Sequence, residues 1–158
     1  MMMYPESSDG LNRETDIAIY FFTTTFSCFS NFSSHAVQIW TRKFNTSEHA
    51  FQWKKFSEAA PDIAEKIFNA GSAEAAKRIT IANRNKTPQD WDTRKVDVMR
   101  EVLAAKLAQH EDVREQLLKT GTRDIVENAL ADGFWGNGPD GKGENWVGKI
   151  WMELREKL

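Results

Sequence analysis

A single cysteine, Cys28, occurs in the 158 residues of the chain. One thiol excludes an internal disulfide framework and a cysteine-based zinc cluster, and it fits a reducing compartment. The three histidines, at 35, 49 and 110, form neither HxxxH nor HExxH, so no metal site is expected. GxSxG is absent, which removes the nucleophile elbow of a serine hydrolase. GxxxxGK[ST] is absent, and GNGPDG (136–141) spells GxGxxG without the strand before it and the helix after it that the dinucleotide fingerprint needs. No apolar run approaches the length of a membrane span, and the opening MMMYPESSDG is polar rather than leader-like. A cytoplasmic protein with no membrane partner is therefore expected. The formal net charge of −2 provides no global basic field for nucleic acid or anionic lipid.

Aromatics, by contrast, are abundant: six tryptophans and ten phenylalanines, most of which must serve as core. Hydrophobic residues at 41% and charged residues at 28% make an ordinary globular balance in a chain of one-domain length. Residues 1–15 read as a flexible lead-in and 16–158 as the folded domain. DIAIYFF (16–22) is the best strand, and Phe26, Phe29 and Phe32 are expected to pin the Ser/Thr-rich loop after it. VQIWTRKF (37–44) alternates as a short strand or hairpin.

Helical patterns then take over. Thr46 or Ser47 caps a helix with Glu48 in its first turn. Further helices are expected over Pro61–Asn69 and Ser72–Ile79, and the longest opens at Pro88 with Trp91, Val98, Met99, Val102, Leu103 and Leu107 on one face. Glu111–Leu118, Arg123–Leu130 and the C-terminal segment complete the set. The fold class is α+β, predominantly helical, with a small β-sheet.

Two stretches carry potential chemistry. In NTSEHAFQWKKF (45–56), Glu48, Gln52 and Lys55 share one helical face, since steps of three and four return to the same side. By itself this stripe reads first as a solvated face with a Glu–Gln or Glu–Lys contact. His49 points elsewhere and reads as a satisfied surface or core residue. The second stretch, DGFWGNGPDGKGEN (132–145), holds five glycines around Phe134–Trp135. Its backbone amides, with the N-terminus of the following helix, suit a phosphate as well as they suit a plain surface loop.

In combination, FSNF (29–32), TSEHAFQWKKF (46–56), the Trp91…Val98-Met99 helix with Lys106, and E(x4)DGFWGNG…GKGEN-WVGKIWMELR (127–155) resemble the NADAR superfamily. They look most like its YbiA-type N-glycosidases, over roughly residues 17–157. The resemblance implies a YbiA-like fold and hydrolysis of N-ribosidic bonds without a cofactor. The implied substrates are phosphorylated ribosylamino-pyrimidine intermediates of riboflavin biosynthesis. The alternatives are ADP-ribose on a modified guanine, including ADP-ribosylated nucleic acid, or ADP-ribose or NAD-type nucleotides bound without turnover.

The resemblance makes Glu48, Lys55 and Asp132 the catalytic candidates, with Lys55 either a phosphate clamp or an imine-forming nucleophile. Trp91 and Trp135 are then expected to stack on the base, and Asn31, Gln52 and Asn145 to fix ribose hydroxyls. Gly136, Gly138, Gly141, Gly143 and Gly148 are expected to let the loop close on phosphate. The chain also departs from the family pattern. RITIANRNKTPQDW lacks the usual Gly-Arg, which leaves Arg78, Arg84 and Lys86 as substitutes, and WGNG places Asn137 where an acid is usual.

Overall fold

A computed structural model describes residues 6–7, 10–22 and 28–158. In chain order the strands are β1 (Arg13–Glu14), β2 (Ala18–Phe21), β3 (Val37–Ile39), β4 (Arg42–Phe44) and β5 (Asp124–Glu127). The helices are α1 (Ser47–Phe56), α2 (Pro61–Phe68), α3 (Ala73–Ala82), α4 (Trp91–Gln109), α5 (Glu111–Lys119) and α6 (Trp146–Glu156). The expected α+β, mainly helical class holds. The described residues form two compact units, one ending at Ser33 and resuming at His110–Leu158, the other spanning Ser34–Gln109.

In the first unit, β2 buries Ala18, Ile19 and Phe21 and lies between β1, antiparallel, and β5, parallel. The expected lead-in therefore ends in a strand, with Arg13 opposite Tyr20; residues 1–5, 8 and 9 of it lie outside the described residues, as does Phe26. The helix expected over Arg123–Leu130 is corrected to β5. Gly121, at φ 64°, closes the preceding helix. Ile125 and Val126 are β-branched or short-branched formers of pleated structure, and β2 offers them a full ladder from Ala18↔Asp124 to Phe21↔Glu127. An isolated eight-residue helix has no comparable source of stability. α6 packs on β5 and buries Trp151, whose Nε1 donates to Phe29 O at 3.1 Å. Phe29 meets both Phe21 and Trp151, so it pins the chain after β2 as expected.

The second unit begins with the β3–β4 hairpin, in which Val37 faces Phe44. Its two turn residues, Trp40 and Thr41, both have positive φ, 51° and 63°. This is the backbone of a type I′ turn, without the Asn-Gly pair that usually occupies it. The Trp40 indole stacks on Trp53 at 6.1 Å, and its Nε1 donates to Glu101, which holds the turn in place. α1 and α2 pack against each other and against α3, enclosing Phe56, Ile63, Ala64, Ile67 and Ala76. Pro61 opens α2 and the Ser72 hydroxyl caps α3, accepting from Ala75 N at 3.0 Å. α3 runs past the expected Ile79 to Ala82, and a 3₁₀ turn follows over Arg84–Lys86. α4 starts at Trp91, whose N–H donates to Pro88 O. Its buried face carries Val98, Met99, Val102, Leu103 and Lys106.

Candidate active site

Thr46 fixes the start of α1: its hydroxyl accepts from His49 N, and the following turn presents Glu48. Glu48 is only 7% exposed, so its carboxylate is largely out of water. One turn on, Gln52 Nε2 donates to Glu48 Oε1 at 2.7 Å. Gln52 is itself buried, and its Oε1 has no hydrogen-bond partner among the described residues. A buried acceptor left unmade costs about 1–3 kcal/mol, so a stripe meant only for solvent would not be built this way. Lys55, next on the same face, is partly buried. Burial pushes its ammonium below the usual lysine range, and the nearby Lys95 pushes in the same direction; Asp92 and Glu48 oppose, and Arg84 adds a smaller push down. Glu48, Gln52 and Lys55 thus form one electrostatically coupled group on α1.

His49 lies outside that group. Its Nε2 donates to Ala70 O at 2.9 Å and its Nδ1 meets Thr46 Oγ1 at 2.8 Å, so the ring ties the start of α1 to the end of α2. Trp91 opens α4 inside the second unit. It is 4% exposed, tilted against Phe51 at 5.3 Å, with the Arg94 guanidinium 5.5 Å from its ring centre. The indole is packed as part of the core between α1 and α4.

In the first unit, the loop 132–145 is folded on itself. Asp132 Oδ1 accepts from Phe134 N and Trp135 N, both at 2.9 Å, which gives this carboxylate a structural task. Trp135 is half-buried and meets Phe134 edge-on at 4.8 Å. The amides of Asn137, Gly143, Glu144 and Asn145 donate to Glu127, Asn137, Gly133 and Gly136. Those of Trp146 and Val147, the first turn of α6, donate to Phe134 O and Trp135 O. These donors bond within the loop.

The glycines answer to the same packing. A Cβ on Gly143 would lie 2.7 Å from Asn137 C, and one on Gly136 2.7 Å from Ala129 Cβ. Gly138 turns the chain at φ 71°. Asn145 has φ 53° and commits both ends of its amide to β5, accepting from Glu127 N and donating to Ile125 O at 2.9 Å. Asn137 donates to Asn128 Oδ1 at 2.9 Å. Asn31 is buried in the turn closed by Ser33 N on Ser30 O.

Sequence reasoning did not select Lys95 or Asp92. The available signal was spacing: Lys95 follows Trp91 by four residues on α4, as Lys55 follows Phe51 on α1. Since Phe51 and Trp91 touch, the residues one turn later are the ones to inspect.

Comparison with known proteins follows this layout. The NADAR domain family model matches residues 20–158. An N-glycosidase of Nostoc punctiforme is 38% identical over 147 residues, 90% of this chain and 93% of that protein. The N-glycosidase YbiA of Escherichia coli is 36% identical over 146 residues, 92% of this chain and 90% of that protein. The NMR structure of E. coli YbiA superposes with a TM-score of 0.79 at 34% identity, covering 94% of this chain and 88% of that one. A riboflavin biosynthesis protein of Zea mays, PYRR, is 33% identical over 159 residues, 92% of this chain but 26% of the plant protein. The chain belongs to the NADAR domain family, among relatives that are hydrolases of N-glycosyl bonds.

Proposed function

We propose that the protein hydrolyses the N-ribosidic bond of a phosphorylated ribosylamino-pyrimidine, an intermediate class of riboflavin biosynthesis. The relatives' names support the bond and the pathway. The observation that carries the chemistry is the coupled group Glu48, Gln52 and Lys55, in which burial disfavours the lysine's charged form.

In such a substrate the ribose C1 is attached to an exocyclic amine. The nitrogen lone pair can open the furanose ring to a C1=N imine, with a proton delivered to the ring oxygen. A lysine present as the free amine adds to C1, the C1–N bond to the pyrimidine breaks, and the pyrimidine amine leaves with a proton. Water then adds to the lysine imine and releases the open-chain sugar phosphate and the free lysine, so that one water is consumed per bond. Lys55 is assigned the attack, since a desolvated lysine beside another cation is the usual way to hold a reactive amine at neutral pH. Glu48 is assigned the proton transfers, and Gln52 holds its carboxylate. Asp132 is assigned to shaping its loop.

The test is product analysis with a ribosylamino-pyrimidine 5′-phosphate. Release of ribose 5-phosphate by the wild type, with Glu48→Gln slower by about 10²–10⁴-fold, supports the reading. Cleavage only of an ADP-ribosylated guanine offered at equal concentration contradicts it.

A further inference from the structure

Gln52 commits only half of its amide to Glu48: Nε2 donates to Glu48 Oε1 at 2.7 Å. The other half, Oε1, is buried and has no hydrogen-bond partner among the described residues. Facing a carboxylate, which accepts, an amide turns its NH2 inward and its oxygen away. The direction of Oε1 is therefore set by Glu48 and not by a bond of its own. The residue is 9% exposed, and a buried acceptor without a donor is destabilising. Methionine would fill such a place without that cost, so the acceptor is suited to a donor that arrives with a ligand.

Bond lengths within the amide put Oε1 about 2.3 Å from Nε2, and so within about 5 Å of Glu48 Oε1. Glu48 is assigned the protons that move at the anomeric amine and the ring oxygen. A second donor within that reach belongs to the neighbouring carbon. On a riboside it is the 2-hydroxyl, which stays on C2 whether the furanose is closed or open.

We propose that Gln52 Oε1 accepts a hydrogen bond from the 2-hydroxyl of the substrate's sugar, which makes Gln52 the residue that selects ribosides over 2-deoxyribosides. The inference rests on the N-ribosidase reading and adds the sugar specificity of that site. One planar amide then holds both the proton-transfer group and the sugar, which sets the carboxylate in register with C1. Bonds to a 2-hydroxyl strengthen in a glycosyl transition state, so the contact acts on kcat as well as on KM.

The experiment measures kcat/KM on a ribosylamino-pyrimidine 5′-phosphate and on its 2-deoxyribosyl counterpart, with wild type, Gln52→Ala and Gln52→Glu. Loss of the C2 oxygen also changes the intrinsic lability of the bond, so the ratio between substrates is compared across enzymes. Expected is a ribose-over-deoxyribose ratio about tenfold or more greater in the wild type than in Gln52→Ala. Gln52→Glu keeps an acceptor but loses the donor to Glu48. It is expected to be slow on both substrates and to keep a ratio above that of Gln52→Ala. The same ratio in wild type and Gln52→Ala, with both substrates slowed alike, means that Gln52 only holds the carboxylate, and it overturns the proposal. If neither substrate is turned over, calorimetry with ribose 5-phosphate and 2-deoxyribose 5-phosphate separates the contact from the reaction. A preference for ribose 5-phosphate that vanishes in Gln52→Ala upholds the contact while the N-ribosidase reading fails; equal binding of the two, or none, overturns it.

Discussion

Gln52 Nε2 and Glu48 Oε1 lie 2.7 Å apart on consecutive turns of α1, and both side chains are at least nine-tenths out of solvent. The amide fixes the direction of the carboxylate and leaves its own oxygen for another donor. Gln52→Ala is expected to lower kcat about 10–100-fold, since a misoriented proton-transfer group loses part of a 10²–10⁴-fold contribution. Gln52→Glu, which sets a second carboxylate against Glu48, is expected to do more damage. Steady-state kinetics beside a thermal melt checks this; wild-type kcat in Gln52→Ala would remove the assignment.

Lys55 gives a pH signature with a definite sign. Its folded proton affinity lies below that of the unfolded chain, so between the two values the unfolded state binds more protons and stability rises with pH. Lys55→Met, which removes a charge disfavoured by burial, is expected to flatten that rise in denaturant titrations from neutral pH to about 10. The same variant is expected to lose turnover. An unchanged pH slope would mean that the lysine is not desolvated.

Gly148 opens α6 against the carbonyl of Ile125 on β5, and any Cβ there would collide with that oxygen. Gly148→Ala is expected to cost about 1–3 kcal/mol through a forced backbone shift. Gly71→Ala, where nothing lies within 4 Å of the added carbon, is expected to be nearly neutral. Paired urea unfolding curves test the contrast.

Thr41 is a β-branched residue at φ 63°. Glycine adopts that conformation freely, so Thr41→Gly is expected to raise stability by about 1 kcal/mol, reduced by the lost bond from Thr41 Oγ1 to Trp40 O. A clear drop in melting temperature would show that the hydroxyl outweighs the strain.

The helices from α1 to α6 were largely legible because their apolar spacing, caps and prolines are local signals. Thr46, Ser72 and Pro61 sit where such residues start helices. β5 was not legible, because DIVE becomes a strand through pairing with β2, about a hundred residues away in sequence. At the site, the stripe Glu48, Gln52 and Lys55 followed from helical periodicity. The surroundings of Trp91 and Asn145 were not legible: Phe51 packs on the one, and the β5 backbone bonds the amide of the other. A motif fixes residue identity; which neighbour consumes its polar atoms or covers its ring is decided by tertiary packing. Lys95 was invisible for the same reason, since its effect on Lys55 depends on how α1 and α4 pack together.

The most direct test of the account is borohydride trapping during a single turnover of a ribosylamino-pyrimidine 5′-phosphate, with EDTA present, read by intact mass and peptide mapping. The account predicts a reduced sugar-phosphate adduct on Lys55 and none in Lys55→Met. Full turnover with no adduct, undiminished in Lys55→Met, would contradict it.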